Sequence, residues 1–375
     1  MDFAFSDEQE ELRRIVRSFL QATSPETEVR RLMEDDAGPG FDPDVWRRMG
    51  TELGLQGLAI PEAYGGAGCG MAELGVVLEE MGRALLCAPF FASAVLATTA
   101  LVRCADTGLR KRLLPGLAAG ELIGTFALTE DSARWDRAGV TMTARSKGDR
   151  WVLSGHKNFV LDGGTADFIL TVAEAPDGIG VFYVERDAAG LVSSPLPTLD
   201  RTRRQVRLEY DDVSAERVRI DGGDGWRLVA DVLDRAAIAL AAEQVGVAAF
   251  ALETAVEYAK TRQQFGRPIG SFQAVKHMLA DVLLELESAR AAAQYAMLAA
   301  DDEDPGPLPA AASLAKAYCS DACLKATLEN VQVHGGIGFT WEHSAHLYLK
   351  RAKTSQLLFG DPAYPRELLV ERIGL

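Results

Sequence analysis

Apolar residues recur at three- and four-residue spacing from the start of the chain. Phe5, Leu12, Ile15, Val16, Phe19 and Leu20 fall on one face of an amphipathic helix. The same period returns at 71–86, so residues 1 to about 120 read as helical, broken by a loop where Pro61, Gly65, Gly66, Gly68 and Gly70 cluster. From about 122 to 219 the period shortens towards two. β-rich runs stand at 151–154, 159–161, 168–173, 180–184 and 205–210, parted by turn residues at Lys147-Gly148-Asp149, Asp162-Gly163-Gly164, Pro176-Asp177-Gly178 and 187–190. They predict a compact antiparallel β domain. After the glycine-rich turn at 221–225, helical patterns return at about 226–262, 272–300, 310–334 and 341–359, with the acidic, proline-bearing stretch 301–309 as a surface loop. The fold class is α+β in three segments: helical over 1–120, a β domain over 121–225 and a helical bundle over 226–375.

Composition narrows the partners rather than the fold. Among 375 residues, 48% are hydrophobic and 25% charged, which fits a globular protein and excludes collagen, coiled coil and disorder. A net charge of −15 argues against sequence-independent nucleic-acid binding, which needs clustered positive surface. The N-terminus carries acid where a secretory leader carries Lys or Arg. No apolar run reaches the roughly 18 residues that a membrane span needs. Five cysteines, odd in number and scattered, suit reduced thiols, and the expected location is cytoplasmic. Cys319 and Cys323, four apart, read as packing residues rather than metal ligands, and His343 and His346 as a helix surface and a packed histidine.

Glu243 is the one charged residue between Arg235 and Glu253, in the run AAIALAAEQVGVAAFAL. Its helical neighbours at 236, 239, 240, 246 and 247 are Ala, Ala, Leu, Gly and Val. A carboxylate on an apolar face reads two ways. Burial that raises its basicity suits a general base for a weak carbon acid. Equally, it pairs with an arginine from another helix, or reaches solvent beside Gln244. Further on, Arg262 and Arg267 stand in TRQQFGRPIG, where glycine permits close backbone approach to an anion such as a pyrophosphate. The segment 332–339, QVHGGIGF, is a second glycine turn, between an amide and an aromatic side chain. Each also reads as a glycine-capped helix end. Neither is a GxGxxG after a strand or a Walker loop, so those nucleotide-binding folds are not supported.

Three more segments complete an ordered set: Ile60-Pro61-Glu62-Ala63-Tyr64-Gly65-Gly66, Ala127-Leu128-Thr129-Glu130 and Gly155-His156-Lys157-Asn158-Phe159-Val160. With them the whole chain resembles the acyl-CoA dehydrogenase family, and within it a subgroup of actinobacterial steroid and lipid catabolism. The resemblance implies an N-terminal helical domain, a middle antiparallel β-barrel and a C-terminal four-helix bundle. It also implies FAD and an acyl-CoA thioester: a base removes the α-proton, flavin N5 takes the β-hydride, a trans-2-enoyl-CoA forms, and an electron-transfer flavoprotein accepts the electrons. On this resemblance Leu128 and Thr129 hydrogen-bond the isoalloxazine edge, and Phe159 and Leu161 lie against the ring. Arg262, Phe265 and Gln273 contact the pyrophosphate and adenine end, with Gln332, Gly335 and Gly336 on the adjoining turn. These last two groups reach the flavin of a neighbouring subunit. A homodimer, a homotetramer or a heterotetramer with a related subunit is therefore implied.

The sequence departs from the family pattern at the base. Its two usual seats hold Phe359 and Ala236. Glu243 lies seven residues beyond Ala236, within about 20° of the same helical face and about 10 Å further along, which makes it the candidate catalytic base. Phe159 and Leu161 replace the usual Trp and Thr, and 131–136 lacks the family's Gly-Ser-Asp. The empty seats also suit a non-catalytic subunit of a heteromeric dehydrogenase; flavin-dependent oxygenase or oxidase chemistry on the same fold is a third reading.

Overall fold

The helical periods recur as helices in a computed structural model that describes residues 5–148 and 150–375; Asp149 of the predicted turn, and the first four residues of the chain, lie outside the described residues. The elements run α1 (Asp7–Thr23), α2 (Glu26–Glu34), α3 (Pro43–Thr51), α4 (Met71–Arg83), α5 (Thr98–Arg103) and α6 (Thr107–Ala118). Strands β1 (Gly124–Ala127), β2 (Thr143–Lys147), β3 (Arg150–Leu161), β4 (Phe168–Ala175), β5 (Gly178–Glu185), β6 (Leu191–Pro195) and β7 (Gln205–Arg217) follow. The rest comprises α7 (Gly225–Thr261), the short pair β8 (Gln263–Gln264) and β9 (Arg267–Pro268), then α8 (Gln273–Asp301), α9 (Leu308–His334), α10 (Ala345–Leu357) and α11 (Ala363–Arg372). Two compact units result, one from residues up to Arg31 with Met71–Leu86 and Ala237–Leu375, the other from Leu32–Gly70 and Cys87–Ala236.

In the first unit, α1 opens on a capping box in which Ser6 accepts from the Gln9 N–H and the Gln9 side chain accepts from the Ser6 N–H. Val16 and Leu20 are its buried stripe. α4 is capped from far along the chain: the Asp301 carboxylate accepts from the N–H groups of Met71 and Ala72 at 2.7 and 2.9 Å. Two glycines let α4 and α7 touch backbone to backbone. A Cβ at Gly246 would stand 1.8 Å from the Glu79 carbonyl oxygen, and one at Gly82 2.1 Å from that of Glu243. α7 also corrects one expectation. It has the length and apolar composition to cross a membrane, because alanines carry its hydropathy between sparse charges, and 89% of that window is buried inside the fold.

The second unit is built on a seven-stranded sheet. β4 pairs with β2, β2 with β3, β3 with β7, β7 with β5 and β5 with β4, which closes a five-stranded ring; β1 adds beside β4 and β6 beside β7. Its interior is the apolar cluster Leu153, Val160, Ile169, Phe182, Val184, Leu208 and Val213. The antiparallel expectation holds for most pairs, but β1 runs parallel to β4, and β2 meets β4 in parallel. The predicted runs at 151–154 and 159–161 are one strand, β3. Register shifts against β7 at Leu153/Gly155 and Lys157/Val160 break its alternation. β1, wholly buried, and β6, an exposed edge, carry no period-two signal and were not among the predicted runs.

Candidate functional site

In the second unit, the chain leaving β1 is fixed by a buried lysine. Lys157, 0% exposed, points inward from β3 and donates from Nζ to the Leu128 carbonyl at 2.9 Å and to Glu130 Oε1 at 2.7 Å. Glu130 also accepts from the N–H groups of Thr141 and Met142 and from the Thr141 hydroxyl. Thr129 is locked in the same way: its hydroxyl donates to the Asn158 carbonyl at 2.6 Å, and the Asn158 N–H donates to the Thr129 carbonyl at 2.8 Å. Both carbonyls of Leu128-Thr129 are thus used internally. Leu161 is buried and its carbonyl accepts from the Thr125 hydroxyl at 2.6 Å. Phe159 sits in the second bulge of β3 at φ +57° and is 42% exposed, a large aromatic turned out of the barrel.

Burial pulls the Lys157 ammonium down to about 8, against Glu130, which raises it. Burial pushes the Glu130 carboxyl up, but Lys157, Thr141 and the Met142 N–H outweigh it and leave the carboxyl below its ordinary value. Between about pH 8 and Lys157's ordinary 10.5, the unfolded chain holds a proton that the folded chain has lost, so this group's contribution to stability rises with pH across that window. Lys316, also pulled down to about 8 by burial, adds the same trend, so Lys157 is isolated by comparison with Lys157→Met. The urea midpoint of the wild type is expected to gain on that of the variant between pH 8 and 10; parallel pH profiles would exclude the effect.

In the first unit, α7 ends at a tight hairpin. β8 and β9 are joined by Phe265 and Gly266, at φ +53° and +76°, the positive pair that a two-residue hairpin turn demands. Glycine adopts it freely; phenylalanine is strained there by about 1 kcal/mol or more. Phe265 is 92% exposed, touched edge-on by Phe272. The Arg267 guanidinium lies over the Phe272 ring at 4.1 Å. Arg262 and Gln273 are exposed, and Arg262 forms no ion pair among the described residues. At the end of α9, Gln332 is exposed, and a Cβ at Gly335 or Gly336 would meet open space. A cation, a flat apolar ring and an open glycine turn fit an anionic cofactor with an aromatic base.

Glu243 is 3% exposed and Arg351 2%. The Arg351 guanidinium, from α10, donates to Glu243 Oε1 at 2.9 Å and to the Leu86 carbonyl at 3.5 Å. Of the two readings of Glu243, pairing with an arginine from another helix is the arrangement present. Ala236 is fully buried, and Phe359 is buried in the turn after α10 at φ +59°. Phe159, Phe265 and Phe359 are thus the three phenylalanines held in the left-handed region among the described residues, and all three occupy candidate positions. Lys157, Glu130 and Arg351 carried no role in the sequence reading; Lys157 stands among Ser154, His156 and Asn158 in a strand of mixed character, where nothing local marks it as buried. His346 is buried with its ring edge-on to Trp341, and burial pulls it down to about 4; the His343 ring lies tilted against that of His334, centroids 4.1 Å apart.

Family models for the N-terminal, middle and C-terminal domains of acyl-CoA dehydrogenase match residues 6–121, 125–213 and 223–374. The chain belongs to the acyl-CoA dehydrogenase family. This acyl-CoA dehydrogenase is 35% identical to acyl-CoA dehydrogenase IpdE2 of Mycolicibacterium smegmatis, over 95% of this chain and 96% of that one. Among solved structures, the Tcur3481-Tcur3483 steroid acyl-CoA dehydrogenase G363A variant is similar at 34% identity and TM-score 0.88, covering 98% of both chains. The ChsE4-ChsE5 complex of Mycobacterium tuberculosis follows at 27% identity and TM-score 0.91, covering 100% of this chain and 99% of that one.

Proposed function

We propose that this chain works in the FAD-dependent α,β-dehydrogenation of an acyl-CoA thioester to a trans-2-enoyl-CoA, as one of two related subunits, in the cytoplasm. The observation that carries the proposal is the strained, exposed Phe265 hairpin with the free cation of Arg262 beside it, because strain on a ring that its own unit leaves 92% exposed has its use in a ligand. FAD, when bound, supplies the hydride acceptor, and an electron-transfer flavoprotein is the proposed onward acceptor. Arg262, Phe265 and Gln273, with Gln332, Gly335 and Gly336, hold the pyrophosphate and adenine end of a neighbouring subunit's FAD. Leu128 and Thr129, stiffened by Lys157 and Asn158, meet the isoalloxazine edge through main-chain N–H groups, and Phe159 and Leu161 flank the ring.

The second subunit follows from the base. Glu243 is tied to Arg351: its Oε1 accepts the guanidinium's hydrogen bond at 2.9 Å, so the carboxylate is engaged inside the bundle rather than turned to a substrate carbon. With Ala236 and Phe359 at the other seats, the proposed arrangement takes its α-proton base from a related subunit. The two similar structures named as protein pairs support it. The proposal is tested by purifying the chain with and without co-expressed related subunits and adding acyl-CoAs, fatty and steroid, without oxygen. Bleaching of bound flavin with a product two hydrogens lighter, dependent on co-expression, is expected. Full bleaching by the chain alone would refute the second subunit, and no bleaching in any combination would refute the dehydrogenase.

A further inference from the structure

Lys316 is a buried ammonium with an unusual set of partners. It is 1% exposed on α9 and donates to the Ser320 hydroxyl at 3.0 Å, the Gln356 carbonyl at 3.0 Å and the Gly360 carbonyl at 3.1 Å. All three bonds end on neutral oxygens, and Asp321 and Asp361 act on it only through the field. A charge so buried is costly to keep unless its bonds have a use. Two of those bonds converge on one short stretch of chain. Gln356 lies in the last turn of α10, and Gly360 stands just past it, so the cation both caps the helix's negative end and draws the two ends of the segment 356–360 together. Inside that loop stands Phe359, buried and at φ +59°, followed by Gly360 at φ +100°. A bulky residue persists there only when the surroundings over-determine it. Ser320 extends the hold to α7, its hydroxyl lying 3.2 Å from Gln244 Nε2, next in sequence to Glu243.

We propose that Lys316 is a positioning residue: it clamps the turn that presents Phe359 and thereby sets the wall against which the acyl group is accepted. The link to the acyl group rests on the proposed dehydrogenase function, with Phe359 at a family base position; the clamp itself does not. Lys316 touches no substrate. Its effect passes through the turn, so its loss loosens acyl-group recognition and leaves flavin binding alone.

Two variants break the clamp from opposite sides. Lys316→Met removes the ammonium. Gly360→Ala strains the turn, because a Cβ there would stand 2.3 Å from the Tyr364 ring and the φ disfavours any side chain. In the co-expressed enzyme, hydrogen exchange is expected to quicken about tenfold at the Leu358 and Gly360 amides, which donate to the Thr354 and Leu357 carbonyls, and not along the rest of α9. The KM for acyl-CoAs from butyryl to palmitoyl is expected to rise about tenfold, with FAD content, flavin spectrum and saturated rate unchanged. Unchanged exchange at 357–361, or protection lost evenly over α9 and α10, would overturn the clamp; unchanged KM in both variants would overturn the acyl-group role. If Lys316→Met does not fold, Gly360→Ala decides by the same two readings. A wild type that takes up no acyl-CoA refutes the dehydrogenase, while the exchange measurement still reports on the clamp.

Discussion

Glu243→Leu is expected to lower the stability of the chain by about 3–5 kcal/mol, and adding Arg351→Met is expected to recover most of that loss. Both side chains are almost wholly buried and face each other at 2.9 Å. Removing the carboxylate takes a counter-charge from a buried guanidinium, whereas removing both leaves an uncharged gap between α7 and α10. Gly82 and Gly246 press α4 against α7 at this level, so little room exists for water to enter beside the guanidinium. Urea denaturation of the wild type, the two single variants and the double variant gives the coupling directly. Single losses below 1 kcal/mol, or a double variant as unstable as the sum of the singles, would mean that the pair does not hold the bundle.

The second large effect falls on flavin rather than on folding. Arg262→Ala is expected to weaken FAD binding about ten- to a hundredfold, the range for losing a charge-assisted hydrogen bond to phosphate, with an unchanged unfolding midpoint. Phe265→Gly is expected to weaken FAD binding too, while raising stability by up to about 1 kcal/mol, because glycine relieves a left-handed position that phenylalanine occupies under strain. Equilibrium dialysis with FAD and a thermal melt separate the two readings. Undiminished FAD affinity in both variants would remove the hairpin from the cofactor site.

Legibility followed periodicity. α7, α8 and α9 were visible to within two residues at their boundaries, because long helices repeat their apolar period many times. The sequence of β3 reads as two strands because its bulges at Gly155 and around Phe159 reverse which residues face inward. The same bulge turns Phe159 outward, so the feature that hid the strand makes the candidate position. Glu243 stood out as a lone carboxylate on an apolar face, but its partner is 108 residues away on a helix with its own mixed pattern, and pairing at that separation has no local signal. Lys157 and Lys316 were hidden differently. A buried lysine looks like a surface lysine until the carbonyls that surround it, Leu128 for one and Gln356 and Gly360 for the other, are folded around it.

The central claim is that this acyl-CoA dehydrogenase spends its buried carboxylate on Arg351 and not on the α-proton. It is tested most directly by anaerobic reduction of bound FAD in the co-expressed enzyme carrying Glu243→Gln, a substitution that keeps the shape and a carbonyl acceptor for Arg351. With a substrate that bleaches the wild type, the variant is expected to retain its flavin and bleach to the same end point at a rate within a few-fold of wild type. A folded, FAD-loaded Glu243→Gln enzyme that binds acyl-CoA and does not bleach would contradict the claim and make Glu243 the base.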